Sequence, residues 1–183
     1  MNIEKKNDIL SKAYKDSQAM ISLADSKANI SLTIQSLLIT LTLGFSIVSN
    51  LFEKIKSLVE TNYPFVVFFI SFMFVLIGVS IIGIVTTILV FKPRESKEVS
   101  ERNRKGFFYF GHVSKYESSD EYLAKIQELS EEDLMEEYSR QIYQLSLIAS
   151  DKFKYVRFSV YFLIINLSLS LVFLIVNSFV NLV

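Results

Sequence analysis

The sequence has few of the residues on which enzymes and metal sites depend. It contains no cysteine, which excludes disulfides, thiolate metal sites and a cysteine nucleophile. It contains a single histidine, so no pair of histidines at ligand spacing predicts a metal site. Phosphate-binding, dinucleotide-binding and zinc-protease motifs are absent. We therefore expect a protein that is not an enzyme and that has no metal and no resident cofactor.

Charge is balanced and helix-breaking residues are rare. The 19 basic and 19 acidic residues cancel, so no overall field points to nucleic acid as a partner. The sequence has only five glycines and two prolines, and none of them lies before Gly44 or after Gly111. Long helices are therefore predicted at both ends of the chain, the first beginning near residue 3.

Three long apolar runs are the strongest positive feature of the sequence. They lie at 30–51, 64–91 and 155–183; the first two contain no charged residue, and the third contains only Arg157. A helix crosses a bilayer core of about 30 Å with about 20 apolar residues, and each run reaches that length. A buried core helix of a soluble protein is the alternative, but such helices rarely stay uncharged for so long. The sequence predicts an all-α integral membrane protein with three transmembrane helices.

Basic residues predict how the spans are oriented. Lysines and arginines are frequent in segments 1–29 and 92–154, whereas the short segment 52–63 carries only Lys54 and Lys56. Because segments rich in basic residues stay in the cytoplasm, the N-terminus and segment 92–154 are expected inside. The short loop 52–63 and the C-terminus are then expected outside.

Segments 1–29 and 92–154 are predicted to form a small cytoplasmic unit, made of helical extensions of the first and third spans and a short insert. The first extension carries a heptad-like stripe of apolar residues, and in the second the stripe residues recur three or four positions apart, as on helices that pack against a partner helix. We expect the two helices to leave the membrane side by side with these stripes paired. The stripes are Ile3, Leu10, Tyr14, Ile21, Ala24 and Ala28, and Leu134, Tyr138, Gln141, Leu145, Ile148, Lys152 and Tyr155.

Two serines followed by acidic residues predict further helix starts. Ser118 with Glu121 fits a capping box, and Ser130 precedes three acids, which are favourable at the positive end of a helix. The acids from Glu128 to Glu137 are interpreted as a solvated helix face.

Several polar residues near or within the spans are candidates for contacts between helices. Gln35, inside the first span, is interpreted as a hydrogen-bonding residue between helices rather than as a pore ligand. Asp25 and Lys152 lie just before the first and third spans, where they form either an interhelical ion pair or two ordinary charges facing water. Gln141 lies on an apolar stripe and is expected to face the partner helix. The predicted helix-pair contacts are Asp25, Lys27, Gln141, Lys152 and Tyr155.

An irregular region lies between Pro93 and Ser118. It contains the sequence GFFYFGH at 106–112, in which four aromatic residues lie between two glycines. This pattern predicts a short apolar loop or strand. For His112, at its end, a structural hydrogen bond and a ligand contact both remain open.

Three short pieces of sequence stand in a distinctive order relative to the spans. They are ADSKA at 24–28 before the first span, FFYFGH at 107–112 followed by Tyr122, and a set before the last span that comprises Gln141-Ile142, Ile148-Ala149, Lys152 and Tyr155. In this order, and over nearly the whole chain, they resemble the transmembrane effector family of the bacterial Pycsar anti-phage systems.

The resemblance implies a function that composition alone does not indicate. Members of the family act downstream of a pyrimidine cyclase that makes cyclic CMP or cyclic UMP on phage infection. The activated effector impairs the inner membrane, and the infected cell stops supporting phage growth. The resemblance therefore implies a multi-pass protein of the bacterial inner membrane, activated by a cyclic pyrimidine nucleotide and expected to be a homo-oligomer. The alternative is a small membrane scaffold or channel subunit with no nucleotide signal.

A cyclic nucleotide would be recognised by chemistry that the irregular region offers. Its phosphate needs cations and N–H donors, and its base stacks well on aromatic rings. The ligand-binding candidates are Arg102, Arg104, Lys105, Phe108 and His112. The orientation of the spans explains the basic residues among them equally well without any ligand.

Overall fold

The computed structural model describes residues 3–48, 50–93, 105–108 and 110–182. Within these ranges the regular secondary structure is helical and contains no strand, which confirms the all-α prediction. The aromatic segment therefore continues into a short helix rather than a strand. The helices of the described ranges are α1 (Ile3–Val48), α2 (Leu51–Thr61), α3 (Tyr63–Phe91), α4 (Phe110–Val113), α5 (Ser119–Gln127) and α6 (Glu131–Leu182).

Three of these helices, α1, α3 and α6, are long and apolar enough to cross a membrane, as the sequence predicted. Their outward surfaces are strongly apolar. Phe68 is 62% exposed and Phe74 is 72% exposed on α3, and Ile164 is 55% exposed on α6. A surface of this kind is unfavourable in water and favourable against lipid.

The chain divides into two compact units. The first unit consists of Met1–Ala24 and Lys92–Lys152, and the second, which we name the membrane unit, consists of Asp25–Phe91 and Phe153–Val183. The helices α1 and α6 contribute residues to both units, because each continues without a break across a unit boundary.

The segment expected as a short loop between the first two spans is the helix α2. Its apolar residues Leu51, Ile55 and Leu58 recur at helical spacing, and its charged residues lie between them. Leu51 is buried with Phe69 of α3 and Phe173 of α6, and the other two pack against this cluster. The helix therefore lies with its apolar face on one end of the membrane unit's core.

Both predicted helix starts are present. The Ser118 Oγ accepts the Glu121 N–H at 3.1 Å, and the Glu121 carboxylate accepts the N–H of Glu117 at 2.7 Å. At the start of α6, the Ser130 Oγ accepts the Asp133 N–H at 3.1 Å, and the Asp133 carboxylate accepts the Ser130 N–H at 3.2 Å. These local bonds satisfy N–H groups that have no partner inside a helix, so they fix where α5 and α6 begin.

Candidate functional site in the first unit

Three aromatic rings from separate parts of the chain meet in the first unit. Phe108 stacks on Tyr138 of α6 with ring centroids 4.6 Å apart and planes at 26°. Tyr14 of α1 lies 5.8 Å from each of these two rings. Tyr14 and Tyr138 belong to the two apolar stripes, so their contact confirms that α1 and α6 pack side by side in this unit. We name Tyr14, Phe108 and Tyr138 the aromatic cluster.

A buried carboxylate lies behind the connection that carries Phe108. Glu137 of α6 is only 1% exposed, and its Oε1 accepts long hydrogen bonds of 3.4 Å from the Phe107 N–H and from the Gln141 side chain. A Cβ on Gly106 would lie 2.8 Å from both Glu137 Oε1 and His112 Nδ1. Glycine is therefore required at 106 for the backbone to approach the carboxylate and the imidazole. Gln141 is buried, and its bond to Glu137 runs along its own helix, so its expected contact with the partner helix stays a prediction.

The backbone of Phe107 is held at both of its polar groups. Its N–H points to Glu137, and its carbonyl accepts the hydroxyl of Tyr122 on α5 at 2.9 Å. The rings of Tyr122 and Tyr116 also pack edge to face, with their centroids 5.2 Å apart. Helices α5 and α6 together therefore fix the connection that places Phe108 in the aromatic cluster.

Charged side chains at the edge of this site form a local ion pair. The Lys105 Nζ lies 2.6 Å from the Glu121 carboxylate and 5.4 Å from the centre of the Tyr116 ring. The hydrogen bond between them raises the pKa of Lys105 and lowers the pKa of Glu121. Burial raises the pKa of Tyr116, and burial followed by the neighbouring Tyr138 raises the pKa of Tyr14. Both tyrosines are therefore neutral at physiological pH.

The predicted ligand-binding residues are only partly brought together. Phe108 is half-buried in the aromatic cluster, His112 is buried beside Gly106, and Lys105 is exposed and paired with Glu121. Arg102 and Arg104 lie outside the described residues. The assignment of these five residues to a ligand site stays a prediction.

Glu137 is a residue that the sequence interpretation misplaced. The acids from Glu128 to Glu137 were interpreted as a solvated face, and Glu128 and Glu136 are indeed exposed, but Glu137 is buried. Its position three residues after Leu134 and four before Gln141 places it on the apolar stripe of α6. That spacing is the signal that could have identified it.

A cavity of about 250 Å³ also lies in the first unit, next to Phe107. It is lined by more carboxylates than cations, and Lys125 is already paired with Glu128 at 2.6 Å. The hydrogen bonds from Ser130 lower the pKa of Asp133, so this side chain is negatively charged at neutral pH. Such a lining disfavours an anionic phosphate. The lining residues are Phe107, Lys125, Glu128, Leu129, Asp133 and Glu136.

The other predicted helix-pair residues lie close to the boundary between the units. The Lys27 Nζ lies 5.5 Å from the ring centre of Phe153, so α1 and α6 meet there through a cation–π contact. Lys152 is buried at 8% exposure, and Asp25 and Tyr155 are partly buried. The proposed pairing of Asp25 with Lys152 stays a prediction.

Inside the membrane unit, four buried polar side chains join the three long helices. The Gln35 Nε2 of α1 donates to the Thr87 hydroxyl of α3 at 3.2 Å and to the Ser31 hydroxyl at 3.1 Å. The Ser159 hydroxyl of α6 lies 2.7 Å from that of Ser31 and 2.5 Å from that of Thr87. Gln35 is fully buried. These bonds confirm that Gln35 makes hydrogen bonds between helices.

Further buried polar residues continue this arrangement along the bundle. The Ser80 hydroxyl of α3 donates to the Asn166 Oδ1 of α6 at 3.1 Å. This bond links α3 and α6 at a second position, in addition to the contact between Thr87 and Ser159. Buried positions on each helix recur at intervals of three and four residues, which is the spacing of a coiled-coil seam. We name this set the polar seam: Ser31, Gln35, Thr42, Ser46, Ser80, Thr87, Ser159, Asn166, Ser170 and Asn177.

Comparison with known proteins identifies one family. A family model described as the Pycsar effector protein domain, PycTM, matches residues 9–177, which is most of the chain. The match includes the aromatic cluster and the whole polar seam. No curated protein and no solved structure matches the chain.

Proposed function

Because the chain belongs to the Pycsar effector family, we propose that it is the membrane effector of a bacterial anti-phage defence system. Cyclic CMP or cyclic UMP, made by a partner cyclase on infection, binds the first unit. The membrane unit then impairs the inner membrane, and the infected cell stops supporting phage growth. The observation that supports this proposal is that α1 and α6 each continue from the first unit, where Lys105, Phe108 and His112 lie, into the membrane unit.

The aromatic cluster offers a way to couple binding to the helices. Tyr138 already covers one face of Phe108, and Tyr14 lies against the same ring. In this proposal a pyrimidine stacks on Phe108 in place of one of these tyrosines, which belong to α6 and α1. The ligand can drive a rearrangement only if it binds the rearranged helix pair more tightly than the resting pair. Exchange of a tyrosine for a base provides such a difference.

The phosphate of the ligand needs cations at the edge of the cluster. In the proposal these are Arg102, Arg104 and Lys105, with His112 as a further ligand contact. Lys105 is held by Glu121 at 2.6 Å, so the phosphate competes with this carboxylate for the ammonium group. A charge-assisted hydrogen bond to phosphate is worth about 1.5–3 kcal/mol, which corresponds to about ten- to a hundredfold in affinity.

The binding residues are tested by affinity measurements on the full chain in lipid nanodiscs, titrated with cyclic CMP and with cyclic UMP. We expect Lys105→Ala to weaken binding of the active nucleotide by about tenfold or more. Lys125→Ala is the matched control, because Lys125 is also exposed and also paired with a glutamate at 2.6 Å. If Arg104→Ala and Lys105→Ala both leave the affinity unchanged, this placement of the ligand is wrong.

The cellular function is tested by the membrane potential of bacteria that express the protein while each nucleotide is raised in turn. We expect depolarisation with one nucleotide and none without it. Depolarisation without any nucleotide would favour a channel subunit. Cells that stay polarised with both nucleotides, at verified expression, would favour a scaffold.

A further inference from the structure

The polar seam contains buried groups whose hydrogen-bonding capacity the described residues do not meet. The Gln35 Oε1, the Asn166 Nδ2 and the Ser170 Oγ have no hydrogen-bond partner in the part of the chain that the structure describes. The three residues are 0%, 2% and 4% exposed, so the surrounding lipid and bulk water do not reach them. Buried polar atoms without partners are rare and costly in folded proteins. A ligand of these groups is therefore expected.

The chemistry of the unmet groups identifies that ligand. The Gln35 Oε1 is an acceptor, the Asn166 amide is a donor, and the Ser170 hydroxyl is both. A cation would satisfy the first group and be repelled by the second, and an anion would do the reverse. Water donates and accepts, so it suits all three, and buried waters typically bridge such groups. The side chains of the polar seam are all uncharged, so no fixed charge in it traps an ion.

An apolar cluster interrupts the polar seam. Phe69 and Leu76 of α3 and Phe173 of α6 are buried together, and the two phenylalanine rings lie 6.1 Å apart. Phe173 stands between Ser170 and Asn177, which both belong to the polar seam. Apolar constrictions of this kind close membrane pathways by excluding water. We name Phe69, Leu76 and Phe173 the apolar plug.

We propose that the polar seam is a water-binding path through the membrane unit, closed at rest by the apolar plug, and that ions cross along it when the effector is activated. The conducting part of this proposal rests on the proposed function. The water-binding part and the role of the plug are independent of any nucleotide. The two parts can therefore be tested separately.

The first test opens the plug without a nucleotide. The full chain is reconstituted in vesicles of phosphatidylethanolamine and phosphatidylglycerol that contain a potassium-sensitive dye. We expect Phe173→Ala to leak potassium at least about tenfold faster than the unchanged chain, because the constriction loses one of its two phenylalanine rings. Phe74→Ala is the matched control, because Phe74 is 72% exposed on the outer surface. Equal leak from both variants would overturn the role of the plug.

The second test maps the path with cysteines, since the chain has none of its own. In the Phe173→Ala background, Ser159→Cys is compared with Ser168→Cys for reaction with a water-soluble cationic methanethiosulfonate. Ser168 is exposed on the outer surface of α6, and its hydroxyl bonds to the carbonyl of Ile164 in its own helix. We expect Ser159→Cys to react at least about tenfold faster, because a thiol ionises only where water reaches it. Equal or slower reaction would overturn the path.

The third test removes the water-binding groups. In the same background, Gln35→Leu is compared with Thr40→Val, which makes an equivalent change on the exposed face of α1. Of these two substitutions, we expect only Gln35→Leu to reduce the potassium leak, by about tenfold. If nucleotide depolarises cells expressing the unchanged chain while Ser159→Cys stays unreactive, the seam proposal fails and the proposed function stands. If no nucleotide depolarises them but the three tests succeed, the seam stands and the proposed function fails.

Discussion

The first unit and the membrane unit differ in the side chains that they expose, although α1 and α6 contribute to both. The first unit half-buries aromatic rings such as Phe108 and Tyr138, buries the carboxylate of Glu137 and leaves charged residues such as Glu128 at its surface. The membrane unit encloses hydroxyls and amides such as Ser159 and Gln35 and exposes phenylalanine, leucine and isoleucine. The kind of side chain that α1 and α6 expose therefore changes along the length of each helix.

The difference in exposed surface follows from how apolar side chains interact with water and with lipid. In water, burial of apolar area is the main favourable term, so apolar side chains pack against one another. In a bilayer, apolar side chains gain little by leaving lipid, and helices associate through close packing and hydrogen bonds between them. Substitutions should therefore act differently in the two units. Size and hydrogen bonding at the seam should matter most in the membrane unit, and the buried carboxylate and its neighbours should matter most in the first unit.

The largest effect is expected from added volume in the polar seam. A Cβ at Gly83 would lie 2.8 Å from the Gln35 Oε1 and 3.3 Å from the Phe162 Cβ. We expect Gly83→Ala to destabilise the membrane unit by about 3 kcal/mol, at the upper end of the usual cost of overpacking. The cost is high because two hydrogen bonds hold the Gln35 side chain, so it cannot change rotamer to relieve the clash without losing them. Unfolding in SDS, followed by helical circular dichroism, measures the change.

Gly78→Ala is the matched control for this prediction. Gly78 lies on the same helix, but a Cβ there would have nothing within 4 Å. We expect Gly78→Ala to be neutral or slightly stabilising, because alanine favours a helix more than glycine does. Equal losses from the two variants would contradict the close contact at Gly83.

The next largest effect is expected at the buried carboxylate of the first unit. Glu137→Ala removes the acceptor of the Phe107 N–H and of the Gln141 side chain. We expect a loss of about 2 kcal/mol, within the range for leaving buried polar groups without a partner. Glu136→Ala should change stability far less, because Glu136 is exposed and its ion pair with Arg140 lies on the surface. Thermal unfolding of the two variants distinguishes them, and equal midpoints would show that burial of Glu137 has no energetic consequence.

Local sequence signals predicted the long helices and the starts of α5 and α6. The lack of glycine and proline predicted α1 from Ile3, and the serine–acid patterns predicted the starts of α5 and α6. Gln35 was identified as a contact between helices because a lone amide in an apolar span has few other favourable environments. These features depend on residues a few positions apart, so the sequence contains them directly.

Features that depend on distant residues were missed. Glu137 is buried because the glycine at 106 lets the backbone approach its carboxylate. The neighbouring acidic residues instead led to the prediction of a solvated helix face. The rest of the polar seam consists of serines, threonines and asparagines, which are common in spans. Only the meeting of α1, α3 and α6 reveals that Ser31, Thr87 and Ser159 share one network. The segment that forms α2 was predicted as a loop, although Leu51, Ile55 and Leu58 recur at helical spacing.

A smaller effect is expected at the start of α5. Ser118→Ala removes the side-chain acceptor of the Glu121 N–H, which is otherwise without a partner in the first turn. We expect a loss of about 1 kcal/mol, the usual value for an N-cap serine. Ser119→Ala, one position further on and also exposed, is the control and should be close to neutral. Amide hydrogen exchange in α5 measures the local change, and equal protection in the two variants would contradict the capping role.

The smallest effect is expected from acid, and it should be confined to the first unit. Lys105 lowers the pKa of Glu121 below its usual value of 4.5, and Ser130 lowers the pKa of Asp133 below 3.8. A carboxyl whose pKa is lowered by folding stabilises the folded state above its unfolded pKa, and that contribution is lost as the pH falls through the folded pKa. The thermal midpoint of the first unit should therefore decrease as the pH is lowered from neutrality to about 3. The decrease should be shallower in the double variant Glu121→Gln with Asp133→Asn. An equally steep decrease in this double variant and in the unchanged chain would contradict the contribution of these two carboxylates.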